Sequence, residues 1–309
     1  MFIFANIGNL RRYCYICHAY KIIEMKLQTP VDCGRSSIGI SYKDKVLVLG
    51  SCFADNIGQK MMQAGFDVCV NPFGTLYNPM SLMKAMRRPR VRNLFTREDC
   101  VPMGAGAGKI CSFSHHTSFA RDTEEEFLAN ANAVLEKACD FYQNCNKVIV
   151  TLGTSFCYVH GDVFVSNCLK RPAAEFHRVL LKPDESTDLI KSMKALSSGR
   201  KFIFTVSPIR HMADGPVLNQ ISKSSLLLAV NNVCSLYKDS TEYFPAYEIV
   251  MDELRDYRFY AEDMVHPSQQ TVDYIWERFT DFALPSDELP TLKEREKSYR
   301  QSLHRPNLF

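Results

Sequence analysis

A serine at position 51 lies where a buried strand is predicted to turn sharply into a helix. Residues 46–50, VLVLG, are apolar enough for a central strand, and residues 54–64 have the apolar spacing of a helix. In an open parallel sheet the carboxyl ends of the strands face the ligand crevice, and the first N–H groups of the following helix stabilise an anion there. This position favours Ser51 as a nucleophile that attacks an acyl carbon. A tight glycine–serine turn without chemistry is the alternative.

A second candidate pair, Asp263 and His266, precedes a predicted C-terminal helix that begins near Ser268. Three residues of turn can bring the Asp263 carboxylate under the imidazole, where it fixes the tautomer and stabilises the imidazolium. Pro267 disfavours helical geometry at His266 and so keeps the histidine in the loop. The pair fits a general base that takes the proton of Ser51. An exposed loop histidine beside a helix-capping acid is the alternative.

Strands and helices alternate along the chain between these two candidate sites. Predicted strands cover residues 46–50, 66–70, 147–153 and 201–208, and predicted helices cover residues 54–64, 79–88, 123–144, 184–198 and 222–238. A capping box at Thr123 opens the third helix, and residues 156–166 read as a hairpin that turns at Gly161 and Asp162. Strands separated by helices of this length imply right-handed crossovers and a parallel sheet covered on both faces. The pattern therefore predicts an α/β fold.

Six motifs in this order resemble the GSCFA domain family of the SGNH-hydrolase-like superfamily. They are GSCFADNIG at 50–58, NPFGTLYNP at 71–79, TLGTS at 151–155, SPIRH with DG at 207–215, NQISKSSLLLAV at 219–230 and YFPAYEIVMDELRDYRFYAEDMVHPS at 243–268. The resemblance covers about residues 25–285 and implies a three-layer αβα fold with a parallel central sheet, the flavodoxin-like SGNH-hydrolase fold. It also implies a hydrolase or an acyltransferase, although a fold alone does not fix an activity.

The resemblance assigns roles residue by residue. It makes Ser51 the nucleophile, Asp263 and His266 the other triad members, and Gly74 of NPFG the second backbone donor to the oxyanion. The N–H of Cys52, directly after the nucleophile, is the first such donor. Cys52 is also a rival nucleophile, because a helix N-terminus activates a thiolate.

One motif departs from the superfamily pattern. SGNH enzymes usually carry an asparagine in a G-x-N-D block after the third central strand, whereas this chain has Gly153, Thr154 and Ser155 there. The Thr154 hydroxyl, Asn71 and Asn78 are alternative donors for the missing amide, and the sequence does not decide among them. Removing one such donor typically costs on the order of 100- to 1000-fold in rate, so the departure predicts low or altered activity.

Two further histidine-containing segments are candidates for site residues. Arg210 and His211 leave the end of the fourth strand on the same crevice edge as Ser51, and a site role and a structural role are equally open. His115 and His116 are better explained as a solvated loop pair.

Two other patterns are explained without a ligand. The charged stretch at 248–258 is typical of a solvated helix face. The GAGAGK run at 104–109 fails the phosphate-loop pattern at both ends, which favours a glycine-rich surface loop.

Composition excludes several classes of protein. A net charge of +3 over 309 residues does not suggest nucleic acid or an anionic membrane surface as a partner. There is no run of 18 apolar residues, so no membrane span is expected. Twelve irregularly spaced cysteines, several inside apolar elements, favour a reducing cytoplasmic location. No metal or cofactor is predicted, because no second pair of closely spaced ligands is present.

Residues 1–24 have neither the pattern of a secretory signal nor a clear cleavage site. They contain CYICH at 14–18, which matches the C-x-x-C-H motif for haem attachment. Haem attachment of this type requires export of the protein, and no export signal is recognised. Because the resemblance begins at MKLQTPV, Met25 is the expected start and the preceding segment an over-called or disordered extension. The expected organisation is then a hydrolase domain at 25–285 and a polar tail or external helix at 286–309.

The sequence therefore predicts a serine esterase or acyl hydrolase. Its expected substrate is an acyl ester of a small molecule or carbohydrate, such as an O-acetylated sugar. Two alternatives stay open, an acyltransferase of the same fold and a non-catalytic SGNH-like binding protein. The missing asparagine motivates the second.

Overall fold

Five parallel strands form the central sheet of the computed structural model, which describes residues 28–303. They are β1 (Lys45–Gly50), β2 (Asp67–Val70), β5 (Lys147–Leu152), β9 (Lys201–Val206) and β10 (Thr241–Tyr243). Their spatial order is β2-β1-β5-β9-β10, which is the flavodoxin-like order 2-1-3-4-5. The predicted fold class is confirmed. After β2 is added on one side of β1, the next strand, β5, is added on the other side, so the strand order reverses between β1 and β5. The carboxyl ends of these two strands therefore border the crevice where ligands bind.

Helices cover both faces of this sheet. They are α1 (Cys52–Gln63), α2 (Pro79–Val91), α3 (Glu124–Asn144), α4 (Pro183–Leu196), α5 (Gly215–Leu236), α6 (Ala246–Glu248, continued by a π-helix at Ile249–Leu254), α7 (Gln269–Ala283) and α8 (Leu289–Leu303). Helices α2 to α5 pack on one face, and α1, α6, α7 and α8 pack on the other. The molecule therefore has the three layers that the resemblance implies.

The side chains of β1 show why both faces of the sheet must be covered by helices. Leu47 and Leu49 pack into the core under α2 to α5, whereas Val46 and Val48 pack into the core under α1 and α7. Successive residues of a strand point to opposite faces, so a continuous apolar run is stable only when both faces are buried. The same alternation continues along β5 and β9.

Two small antiparallel sheets accompany the central one. The first consists of β6 (Phe156–His160), β7 (Val163–Val165) and β8 (Phe176–Leu180), and the second of β3 (Val101–Pro102) and β4 (Ile110–Cys111). The predicted hairpin at 156–166 is confirmed as β6 and β7. The third strand, β8, returns to pair with β6 and was not predicted from the sequence.

Side-chain caps set the starts of the main helices. The Thr123 hydroxyl accepts the N–H of Glu126 at 3.1 Å, which confirms the predicted opening of α3. Ser268 accepts the N–H of Thr271 at the start of α7 in the same way.

The C-terminal helix α8 packs on the α1 and α7 face. Leu292 is buried there, and the Trp276 indole N–H donates to Glu296 at 2.7 Å. Of the alternatives expected for 286–309, the external helix is the one that the structure contains up to residue 303. The expectations for residues 1–24, including CYICH at 14–18, lie outside the described residues.

Residues 104–109 form a loop without helix or strand, as expected for the glycine-rich run. Among residues 28–303, none of the helices has the length and apolar content needed to span a membrane.

The described residues contain ten cysteines, and all ten are free thiols. Burial is the largest cause that raises the pKa of each of them above the ordinary value.

Gly50 ends β1 with φ +145°, and the chain passes very close to β5 at this point. A Cβ atom added there would lie 2.2 Å from the Thr151 carbonyl oxygen and 2.7 Å from the Thr151 Cβ. Only glycine allows both this backbone conformation and this close approach. The position of Ser51 beside β5 depends on it.

Replacing Gly50 by alanine should therefore cost about 3 kcal/mol of the free energy of unfolding, through overlap with Thr151 and backbone strain. Gly161→Ala is a matched control, because Gly161 also has positive φ but no atom lies within 4 Å of its added Cβ. That control should cost about 1 kcal/mol. Urea denaturation of the three proteins measures both values, and equal losses would contradict the role given to close packing.

Candidate active site

Ser51 is 2% exposed and caps the N-terminus of α1. Its Oγ accepts the N–H of Phe53 at 3.3 Å, and its own N–H donates to the Thr151 carbonyl at 3.3 Å. Cys52 is the first residue of α1, so no carbonyl of the helix accepts its N–H. A serine hydroxyl therefore lies beside this N–H at the positive end of a helix, where negative charge is stabilised.

The Cys52 thiol is not activated by this position. The residue is exposed to solvent, but the protein atoms around the thiol raise its pKa by desolvation, and the nearby carboxylate of Asp55 raises it further. A thiol with a raised pKa carries little thiolate at neutral pH. The structure therefore gives no support to the expectation of an activated Cys52 nucleophile.

Asp263 and His266 form the hydrogen-bonded pair that the sequence predicts. The carboxylate Oδ2 lies 2.6 Å from His266 Nδ1, and Oδ1 accepts the N–H groups of Val265 and His266, both at 2.9 Å. These hydrogen bonds lower the pKa of Asp263 to about 2. The carboxylate thus stays ionised and holds a proton on Nδ1, which leaves Nε2 as the basic nitrogen of a neutral ring.

Arg210 fastens this pair to the end of β9. Its N–H donates to the Val265 carbonyl at 3.0 Å, and its guanidinium Nη1 donates to the Met264 carbonyl at 2.8 Å. The guanidinium carbon also lies 5.4 Å from the ring centroids of Tyr257 and Tyr260. These contacts give Arg210 a structural role, since they hold the loop that carries His266.

His211 lies between the ends of β5 and β9. Its ring centroid is 5.4 Å from that of Tyr77, and a Cβ added to Gly153 would lie 3.1 Å from its Nε2. Burial is the main cause that lowers the pKa of His211 to about 3, and the charge of Lys223 lowers it further. His211 is therefore a neutral ring near His266, at the crevice edge where the sequence placed it.

The NPFG turn does not present the oxyanion donor expected of it. The N–H of Gly74 donates to the Asn71 carbonyl at 2.8 Å, so this group is already used within the turn. The Asn71 side chain is also engaged: its Oδ1 accepts the N–H of Gly50 at 2.8 Å, and its Nδ2 donates to Asp55 at 2.6 Å. Asn71 thus fixes the end of β1, and the expectation of a free Gly74 donor is corrected.

The other two candidates for the missing asparagine are also held by neighbours. Asn78 caps α2, where its Oδ1 accepts the N–H of Ser81 at 2.9 Å. The Thr154 hydroxyl lies 2.8 Å from the Ser222 hydroxyl and accepts the N–H of Phe156 at 3.2 Å. Both side chains therefore support the loops that border the crevice.

Lys223 is a site residue that sequence reasoning missed. Its side chain is fully buried, and its Nζ donates to the carbonyls of Gly153 and Ser207, both at 2.6 Å. Burial lowers its pKa to about 7. The signal was present in the sequence, because Lys223 lies at helical spacing from Leu226 and Val230 on the apolar face of α5.

An ion pair near Tyr77 was also not predicted. Arg178 on β8 donates to both carboxylate oxygens of Asp214, which precedes α5. The guanidinium carbon lies 4.3 Å from the ring centroid of Phe156 and 5.2 Å from that of Tyr158. The unpredicted strand β8 thus brings the small sheet against the loop after β9.

His115 is not part of a solvated pair, so that expectation is wrong for this residue. It is fully buried, with Nδ1 2.7 Å from the Ser112 hydroxyl. Its ring lies among four phenylalanines, Phe73, Phe95, Phe119 and Phe127, with centroids 4.4 to 5.5 Å away. Burial lowers its pKa to about 3. His116 instead caps a short 3-10 turn through Ser118.

The charged stretch at 248–258 is likewise not entirely a solvated face. Glu253 is buried, accepts the N–H of Val31 at 2.8 Å and accepts the hydroxyl of Tyr274. Among residues 28–303, no three His, Cys, Asp or Glu side chains are grouped as metal ligands.

The structure is that of a three-layer α/β protein with a parallel five-stranded sheet. It has a serine at the end of the first strand and a hydrogen-bonded aspartate–histidine pair before α7. The chain belongs to the GSCFA family, whose model matches residues 45–279. This range contains every site residue described above. No curated protein and no solved structure matches the chain.

The burial of His115 predicts a loss of stability in mild acid. Its pKa is about 3 in the folded protein and about 6.5 in the unfolded chain. Between these values the unfolded chain binds more protons, so the free energy of unfolding falls as the pH falls, by up to about 1.4 kcal/mol per pH unit for this histidine. His211, with a similarly lowered pKa, adds to the same slope.

The replacement His115→Leu should reduce this slope when urea denaturation is compared between about pH 7 and pH 5. Ser112→Ala is the control, because it removes the hydrogen-bond partner but keeps the titrating ring. It should lower stability by a constant amount and retain the wild-type slope. An unchanged slope in the leucine variant would contradict the neutral, buried state of His115.

Proposed function

We propose that this protein is a serine esterase or acyl hydrolase in which Ser51 is the nucleophile, His266 the general base and Asp263 the group that orients it. One observation carries the proposal. The Asp263–His266 pair is held through Arg210 to the end of β9, at the same edge of the sheet as Ser51. Membership in the GSCFA family adds support, since the resemblance implies this chemistry.

The chemical sequence follows from the charge states of these groups. Neutral His266 accepts the proton of Ser51 as its Oγ bonds to the acyl carbon, and the resulting imidazolium is stabilised by the Asp263 anion. The oxyanion forms beside the N–H of Cys52 and the N-terminus of α1. His266 then returns the proton to the leaving alcohol. Water attacks the acyl-enzyme in a second, similar step and releases the acid.

The substrate class we infer is an acyl ester of a small molecule or carbohydrate. An acyltransferase would use the same acyl-enzyme and replace water by an alcohol acceptor. The occupied N–H of Gly74 favours modest rates, because a single missing oxyanion donor costs on the order of 100- to 1000-fold. The same observation favours the second candidate function, a binding protein without turnover.

A fluorophosphonate probe tests the nucleophile directly. It should label Ser51, as located by peptide mapping, and Ser51→Ala should lose both labelling and hydrolysis of short p-nitrophenyl esters. Because Ser51 also caps α1, this variant should lose about 1 kcal/mol of stability. Thr123→Ala is the matched control: it removes the cap of α3 but leaves Ser51 in place, and it should keep full labelling.

Labelling at Cys52, or none in a folded protein, would contradict the assignment of Ser51. Absence of labelling combined with tight binding of an unhydrolysed ester would favour the binding protein instead.

The pH dependence of ester hydrolysis tests the base. Since the pKa of Asp263 is about 2, this carboxylate stays ionised at any pH used for the assay. Activity should fall at acid pH, because only an unprotonated base accepts the serine proton. His266→Ala should lose nearly as much activity as Ser51→Ala, since triad members act as a unit.

Asp263→Asn should lower kcat by about 10,000-fold, because an asparagine favours the wrong imidazole tautomer and the same change in a serine-protease triad causes a loss of that size. Steady-state kinetics of the three variants measure these effects. High residual activity in His266→Ala, under conditions where Ser51→Ala is inactive, would point to another base, with His211 as the next candidate.

A further inference from the structure

Lys223 is a buried cation that the proposed reaction does not use. Its residue is 1% exposed, and its ammonium group bridges the carbonyls that follow β5 and β9, those of Gly153 and Ser207. The centroid of the Tyr247 ring lies 5.7 Å from Nζ, which places an aromatic ring near the third N–H. Three elements of the fold therefore converge on one ammonium group.

No carboxylate among the described residues forms an ion pair with Lys223. Burying a charge without a counter-ion is costly, and a methionine could fill a similar volume without that cost. A lysine whose only contribution were packing would not be expected at such a position. Its value must lie in what the positive charge and its two hydrogen bonds do.

The contacts of Lys223 lead to the crevice. Gly153, whose carbonyl it holds, donates its N–H to the Tyr77 carbonyl at 2.7 Å, and Tyr77 contacts His211. Ser222, the preceding residue, holds the next part of the same loop, since its hydroxyl accepts the N–H of Ser155 at 2.8 Å. The loop after β5 is thus fixed from below by two adjacent residues of α5.

We propose that Lys223 is a positioning residue that fixes the loops after β5 and β9 at the crevice and supplies a buried positive charge that stabilises the oxyanion formed at Ser51. This inference rests on the proposed function. The positive charge of Lys223 would take over part of the oxyanion stabilisation that the absent asparagine provides in SGNH enzymes. A fixed charge in a poorly hydrated site acts over a longer distance than a single hydrogen bond and does not touch the reacting atoms.

Neighbouring titratable groups do not compete with Lys223 near neutral pH. His211, on the loop after β9, has a pKa lowered to about 3, and Tyr247, on α6, has a pKa raised by burial. Arg178 and Asp214 form an ion pair beyond His211. Burial lowers the pKa of Lys223 itself to about 7, so its charge is lost as the pH rises above neutrality. The reactivity of Ser51 should fall with it.

The test measures the rate at which a fluorophosphonate labels Ser51, which needs no knowledge of the natural substrate. Lys223→Met should label about 100-fold more slowly, the loss expected from misplaced catalytic groups. Lys194→Met is the matched control. Lys194 is also buried, at 9% exposed, and donates to a single carbonyl, that of Arg200, away from the crevice. Its variant should label within about twofold of wild type, as measured at a temperature where both remain folded.

The pH profile of labelling separates a charge effect from a folding effect. In the wild type the rate should rise from acid pH and then fall as Lys223 loses its proton; Lys223→Met should lack the falling limb. Lys223→Arg keeps a positive charge at every pH of the assay, so it should restore much of the rate at alkaline pH. If neither variant folds, the wild-type profile alone decides.

Three outcomes would overturn this inference. In the first, the labelling rate of the wild type does not fall at alkaline pH. In the second, Lys223→Met labels as fast as the Lys194→Met control. In the third, the labelling rate of Lys223→Met falls at alkaline pH as it does in the wild type. The first two leave the role of Ser51 intact as long as Ser51 is labelled. A wild-type protein that is never labelled would overturn the proposed function and this inference together.

Discussion

The close approach of β1 and β5 is the constraint on which the rest of this structure depends. Gly50 leaves no room for a side chain against Thr151, and the next residue, Ser51, hydrogen-bonds to the same carbonyl. This contact lies where the strand order reverses, so it opens the crevice and places the first N–H groups of α1 at its floor. Asn71 reinforces it from β2 by accepting the N–H of Gly50. The serine is therefore positioned by backbone packing in addition to the capping contact of its own side chain.

The sequence was sufficient for the α/β class, the main elements and the Asp263–His266 pair, because each of these depends on local patterns. Strand alternation, a helix cap and a three-residue turn each involve residues that are only a few positions apart in the sequence. It was insufficient where burial arises from distant parts of the chain. His115 is buried by phenylalanines as far apart as Phe73 and Phe127, and no local pattern shows that enclosure. Strand β8 has a half-exposed pattern without clear alternation, so only its pairing with β6 defines it.

The candidate oxyanion donors show a second limit of prediction from sequence. A motif identifies a residue, but it does not show whether the N–H or hydroxyl group of that residue already has a hydrogen-bond partner. Gly74, Asn71 and Thr154 were candidates by residue type and position, yet each already has a hydrogen-bond partner. Asn71 adopts φ +39°, a conformation that closes the turn and directs its carbonyl to the N–H of Gly74. The polar groups around Ser51 thus form a connected framework. Such a framework rigidifies a site. The buried ammonium group of Lys223 lies behind it and donates to the carbonyl of Gly153.

The ten cysteines within residues 28–303 are free thiols with raised pKa values, which affects their chemical durability. Oxidation and disulfide exchange proceed through the thiolate, which is scarce when burial disfavours the charged form. A chain this rich in cysteine would ordinarily be prone to cross-linking during purification and storage. Here desolvation by the surrounding protein atoms keeps these thiols in the protonated, slow-reacting form. Peroxide or an oxidised glutathione buffer should accordingly modify these ten cysteines much more slowly in the folded protein than in the unfolded chain.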